Sequence, residues 1–150
     1  PDATLAAFAR AQAQPSVPAL APVIDRCFGG DTVEDILSRL DAETGEHADW
    51  AAKQAAVIRQ KSPTSLKIAL RQMQAGAKAD FEECMRIEYR IVSRVIRGVD
   101  FFEGVRAVII DKDNAPKWRP ARLEEVSDAD IDAYFAPQED ELDLAALDRG

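Results

Sequence analysis

Apolar residues recur three and four positions apart along most of this chain, the spacing of one helix face, and nowhere alternate for long enough to predict a strand. DATLAAFARAQ reads as a helix capped by Asp2, with Leu5 and Phe8 on one side. PSVPALAP, with Pro15, Pro18 and Pro22, reads as a turn or extended connector, because proline removes a helical N–H and pushes the preceding residue to extended geometry. VIDRCFGG is then a short helix stopped by Gly29 and Gly30. In DTVEDILSRL, Asp31 or Thr32 caps a stripe of Val33, Ile36, Leu37 and Leu40. An Ala-rich helix from Glu46 to Lys61 carries Trp50, Val57 and Ile58 and ends at Ser62.

The next elements are marked at their ends. Ser62 caps a helix with Pro63 at its first position, where the missing N–H costs nothing, and Gly76 at its end; the stripe is Leu66, Ala69, Leu70 and Met73. Asp80 and Glu83 stand in capping-box spacing before a helix that closes at Gly98, and Asp100 and Glu103 repeat that spacing before GVRAVII. Ser127 caps a short helix with Ile131, Tyr134 and Phe135, ahead of an acidic tail of partly disordered composition. The expectation is an all-α chain: residues 1–22 an N-terminal helix and Pro-rich connector, 23–135 a helical body, 136–150 the tail. The short, Ala-rich N-terminal elements would pack better on a larger body than on one another.

One residue interrupts its own stripe. Phe81, Cys84, Met85, Ile91, Val92 and Val95 define an apolar face on which position 88 also falls, and that position is Glu88. A carboxylate there must be paired, hydrogen-bonded or protonated. Two readings stand: a general acid or base, or an ion pair with an arginine of a neighbouring helix, for which Arg106 is the candidate.

An apolar fraction of 47% over 150 residues is enough for one core without disulfides. Cys27 and Cys84 are isolated and His47 is the single histidine, which excludes a Cys/His zinc site and a His-dependent triad. Two lone cysteines fit a reducing compartment, with one bridge between them left open. No apolar run approaches the roughly 20 residues that span a bilayer, and the first segment lacks a basic signal-peptide region. The chain starts without Met, as a processed or excised segment does. Its net charge of −8 argues against nucleic acid as a partner. That charge is uneven: Arg59 to Arg122 hold 14 Lys+Arg against 8 Asp+Glu, and the remainder 5 against 19. A cationic centre between anionic flanks points to an anionic small molecule, or to acidic flanks folding over a basic middle.

Arg86, Arg90, Arg94 and Arg97 share one helix, and Lys67, Arg71 and Lys78 the one before. Both sets could bind phosphate or pair with local acids such as Glu82 and Glu83. The sharpest local feature is DKDNAPKWRP, in which Lys112, Lys117, Trp118 and Arg119 sit on a loop constrained by Pro116 and Pro120. Cationic heads beside an indole can hold a phosphate and an aromatic ring together; the competing reading is that Trp118 merely anchors the loop. GxSxG, Walker A, GxGxxG and HExxH motifs are all absent, so no catalytic group is assigned within the chain.

SPTSLKIALRQMQAG and MRIEYRIVSRVIRGVDFFEGVRAVIIDKDNAPKWRP resemble the C-terminal part of the 3-hydroxyisobutyryl-CoA hydrolases, a branch of the enoyl-CoA hydratase/isomerase (crotonase) superfamily. The likeness runs from about Val23 to Phe135, and SPTSLKI and DFFEGVRAVIIDKDNAPKW are specific to the branch. It implies the helical C-terminal region of a crotonase-like fold without its N-terminal spiral of ββα turns. The oxyanion hole and acidic catalytic groups would lie in that N-terminal half, which is the implied partner, with a homo-oligomer left open. The resemblance further implies thioester hydrolysis in valine catabolism, with CoA as part of the substrate and no separate cofactor or metal. The helices would cover the acyl pocket, and Lys112, Lys117, Trp118 and Arg119 would approach the adenine and phosphates of CoA. An Ala- and Arg-rich composition inclines to a bacterial cytoplasm; a eukaryotic member would be mitochondrial. An enoyl-CoA hydratase and a non-catalytic helical interaction module are the alternatives.

Overall fold

The computed structural model describes residues 16–144. Their elements are α1 (Ser16–Phe28), α2 (Val33–Ala42), a 3-10 turn (Gly45–His47), α3 (Ala48–Arg59), α4 (Pro63–Gly76), α5 (Phe81–Val95), α6 (Val99–Val105) running into a π-helical turn (Arg106–Ile110), a 3-10 turn (Leu123–Glu125) and α7 (Asp128–Phe135). No strand occurs among the described residues. The expected Asp2-capped helix lies outside them.

Two apolar clusters form the interior. Val23 and Cys27 of α1, Ile36 and Leu40 of α2, and Ala51 and Ala55 of α3 make the first. Ile68 of α4, Ile87 and Ile91 of α5, Val126, and Ile131 of α7 make the second. Helix α4 serves both, since Leu66 and Leu70 lean on the first cluster while Ile68 is buried in the second. Its Lys67 likewise reaches in two directions, to Glu34 Oε1 at 3.0 Å and to the Val126 carbonyl at 3.0 Å. The predicted stripe of α4 is corrected accordingly: Ala69 is exposed and Met73 is 74% exposed. On α3 the small Ala51 and Ala55 allow close approach of α2, and Val57 faces outward.

The predicted caps are in place at Thr32, Ser62, Asp80 and Ser127, whose side chains accept the N–H groups of Asp35, Ser65, Glu83 and Asp130. The predicted connector is not: the chain is helical from Ser16, through Pro18 and Pro22. Pro18 lies in the first turn, where its N–H has no intrahelical partner to lose. Pro22 does remove a ladder bond, but Leu20, Val23 and Cys27 bury one face of α1 against α2, and that burial outweighs the local preference.

Glu88 is also corrected. The buried line of α5 is Ile87–Ile91, so the next position turns outward; Glu88 is exposed and accepts a hydrogen bond from Gln72 Nε2 at 3.3 Å. Arg106 is engaged elsewhere. The start of the acidic tail is held: Arg94 donates to the carbonyls of Tyr134 and Ala136 at 3.1 and 2.8 Å, and Arg90 Nε to Glu141 Oε2 at 2.8 Å. Residues 145–150 of the tail lie outside the described residues. Among those described, no helix is long and apolar enough to cross a membrane.

Chemical denaturation separates these positions. Leu40→Ala, at a side chain only 1% exposed, should cost about 2–5 kcal/mol. Glu88→Gln should stay within about 0.5 kcal/mol of wild type; a loss of several would restore a buried carboxylate at that position.

Candidate functional site

Helix α6 starts from Gly98 with no side-chain cap, so Asp100 and Glu103 do not form the capping box their spacing predicts. One turn apart on the same helix, they instead receive the backbone of the following loop. Asp100 Oδ1 accepts the N–H of Arg119 at 2.8 Å, and Glu103 Oε1 the N–H of Lys117 at 2.6 Å. Between those two bonds lies Trp118, whose Nε1–H donates to the Gln60 carbonyl at 2.9 Å. Its ring rests on Gly104: a Cβ there would stand 3.4 Å from Trp118 Cη2. Asp100 Oδ2 also accepts from the hydroxyl of Ser62, a side chain buried to 4% exposure that simultaneously caps α4. The loop is thereby tied to the N-terminus of α4, the end of α3 and the face of α6.

Arg106 closes the loop from the other side. Its guanidinium donates to both Glu103 oxygens at 2.8 and 2.9 Å, to Asp111 at 2.6 Å, to Asp113 at 2.7 Å and to the Ala115 carbonyl at 3.2 Å. These carboxylates hold the guanidinium pKa above its ordinary value. Bonding to Arg106, then to the Lys117 N–H, lowers the Glu103 carboxyl to about 2. Asp113 is lowered too, first by the Ala115 N–H and then by Arg106. Lys112 and Asn114 adopt left-handed backbone, φ 55° and 52°, and the Asp111 N–H bonds the Arg106 carbonyl across the π turn at 2.8 Å.

Of the predicted site residues, Lys117, Trp118 and Arg119 are thus fixed as a unit. Lys112 stands apart at the far end of the loop, exposed, its carbonyl accepting from Asn114 Nδ2 at 3.4 Å. The side chains of Lys112, Lys117 and Arg119 have no carboxylate within ion-pair distance among the described residues, whereas the arginine stripe of α5 is largely committed. Arg86 pairs with Glu82 and Glu83, and Arg90 with Glu83 and Glu141. On α4, Lys67 pairs with Glu34 and Arg71 with Asp132.

Trp118 and Arg119 border an open groove of about 450 Å³ whose walls include Ile68, Val95, Val105, Val108 and Ile109, with Lys61 on its rim. Sequence reasoning missed Lys61, Asp100 and Glu103. The available signal was the pair of acids three residues apart just before a basic loop, and capping was the competing explanation for that spacing. No group of three or more His, Cys, Asp or Glu side chains able to hold a metal occurs among the described residues. Chemically the arrangement offers an apolar channel, an aromatic ring and cationic heads with no carboxylate within ion-pair distance among the described residues.

The enoyl-CoA hydratase/isomerase family matches residues 1–135. A mitochondrial 3-hydroxyisobutyryl-CoA hydrolase of Mus musculus is 46% identical over 112 residues, covering 75% of this chain and 28% of that protein. The 3-hydroxyisobutyryl-CoA hydrolase 1 of Arabidopsis thaliana is 44% identical over 126 residues, 81% of this chain and 33% of that protein. The chain therefore spans about three tenths of the length of these relatives. A crystal structure of a carnitinyl-CoA dehydratase from Mycobacterium thermoresistibile superposes with a TM-score of 0.83 at 38% identity, over 95% of this chain and 40% of the other.

The depressed Glu103 carboxyl fixes a pH dependence. Its ionic pairing contributes fully above its ordinary value of 4.5 and is lost as pH falls through about 2. Thermal unfolding of wild type and Glu103→Gln should differ most near neutrality and converge as pH falls from 4.5 towards 2. A gap that stays constant across that interval would mean that the charge of Glu103 does not hold the loop.

Proposed function

Since the chain belongs to the enoyl-CoA hydratase/isomerase family, we propose that it is the helical C-terminal region of a 3-hydroxyisobutyryl-CoA hydrolase, closing the acyl pocket and contributing to the CoA site. The names of the curated relatives support the reaction, hydrolysis of an acyl-CoA thioester in valine catabolism. The observation that carries the site is the segment Lys117–Trp118–Arg119, held by two backbone N–H groups and the indole while its cationic heads have no carboxylate within ion-pair distance among the described residues. Lys112, Lys117 and Arg119 attract the phosphates of CoA, and Trp118 offers a ring face beside the adenine. The neighbouring groove suits the pantetheine arm.

The chain's own residues bind and cover, and the chemistry belongs to another stretch of polypeptide. Polarising a thioester carbonyl takes preorganised donors aimed at the developing oxyanion, and activating water takes a positioned acid. In this reading both come from an N-terminal catalytic half packed on the outer face of α6 and its π turn. Phe102 and Ile110, 61% and 68% exposed and outside the groove lining, support that placement, since large apolar side chains left in water invite a covering surface. A free-standing interaction module accounts for these side chains but not for the unpaired cations beside the groove. This reading favours a bacterial cytoplasm on composition, with mitochondria for a eukaryotic member; the mouse relative's name gives mitochondria for that protein.

Lys117→Ala combined with Arg119→Ala, in the full-length protein, should raise KM for the CoA ester about tenfold and lower kcat less. An unchanged KM would remove the proposed site.

A further inference from the structure

The loop acids are placed to do something other than neutralise the loop cations. Glu103 and Asp100 lie one turn apart on α6 and could have paired directly with Lys117 and Arg119. They accept the main-chain N–H groups of those two residues instead, at 2.6 and 2.8 Å. Both carboxylates are then satisfied from behind. Glu103 takes both guanidinium bonds of Arg106, and Asp100 takes the hydroxyl of the buried Ser62. With Trp118 pinned by the Gln60 carbonyl and lying against Gly104, three consecutive residues are held at three separate points. What remains without a direct ion pair among the described residues is the pair of cationic side chains, that of Lys117 acting on Glu103 only through its field. Holding the backbone by anions leaves both cationic heads without a direct ion-pair contact, and an anion from outside would complete them.

We infer that Asp100 and Glu103 are positioning residues for the CoA site, fixing the backbone of Arg119 and Lys117 so that both side chains meet the ligand phosphates with their geometry already set. The inference rests on the CoA reading given above. Loosening either backbone bond leaves the cation in place but frees its approach, so the loss falls on substrate affinity and not on the chemical step. Because each acid acts through one cation, removing that cation first should abolish the effect of removing the acid.

The test is a double-mutant cycle in the full-length protein, reading KM and kcat for the CoA ester. Asp100→Ala should raise KM about tenfold with kcat changed less than about twofold. Asp100→Asn, whose amide oxygen still accepts the Arg119 N–H, should restore most of the affinity. In an Arg119→Ala background, Asp100→Ala should raise KM less than about twofold. If the Asp100→Ala variant fails to fold, Glu103→Ala read against Lys117→Ala gives the same cycle, with Glu103→Gln, whose amide oxygen still accepts the Lys117 N–H, as the rescuing variant. Acid and cation effects that simply multiply would overturn the positioning role, as would a KM that responds to Arg119→Ala but not to Asp100→Ala; in both cases the CoA site stands. If neither Lys117→Ala nor Arg119→Ala moves KM, the CoA reading fails and this inference with it.

Discussion

A peptide N–H that leaves a helix or a sheet must find another acceptor, and the loop after α6 finds its acceptors in two carboxylates on the helix that precedes it. The site depends on that arrangement. Asp100 and Glu103 set where Lys117 and Arg119 sit, Gly104 directly after Glu103 leaves room for the indole, and Arg106 returns from the next turn to neutralise Glu103 and gather Asp111 and Asp113. A single helical turn therefore carries the attachment of some ten following residues. The short glutamate–glycine step acquires a physical meaning here: the glutamate anchors backbone, and the glycine admits a ring.

The distribution of charge follows from the same economy. The basic middle of the sequence is not a uniform basic face, because Arg86, Arg106 and Arg122 pair with acids close in sequence and Arg59, Arg71 and Arg90 with acids of other helices or of the tail. Among the described residues, Lys61 and Arg119, which line the groove, and Lys112 and Lys117 on the adjoining loop are among the cations without an ion pair. A field concentrated at one mouth is more useful to an anionic ligand than the same charge spread along a helix.

Much of the fold is legible in the sequence because helix ends are written locally. Thr32, Ser62, Asp80 and Ser127 announce their helices, and in each case the side chain makes the capping bond that its identity implies. What is not legible depends on partners distant in sequence. Pro22 reads as a breaker until the burial of Val23 and Cys27 is known. Glu88 reads as buried because 84 and 91 flank it, although the true face runs through Ile87. Asp100 and Glu103 fail in the most instructive way, since capping and tertiary anchoring use the same spacing on the same helix turn. The loop's basic and aromatic content was visible; which atoms hold it was not, because Ser62 and Gln60 lie some forty to sixty residues away.

The π turn at Arg106–Ile110 makes this geometry a matter of counting. A helix that closes a turn with five-residue bonds contains one residue more than the regular path requires, and the surplus shifts the phase of everything downstream by about a hundred degrees. Arg106 can face back to Glu103 while its own carbonyl still receives Asp111 because that extra position is present. Length in this stretch is thus constrained together with the identity of Arg106, and descendants of this sequence have more freedom to exchange the exposed apolar side chains from Val108 to Ile110 than to gain or lose a single codon.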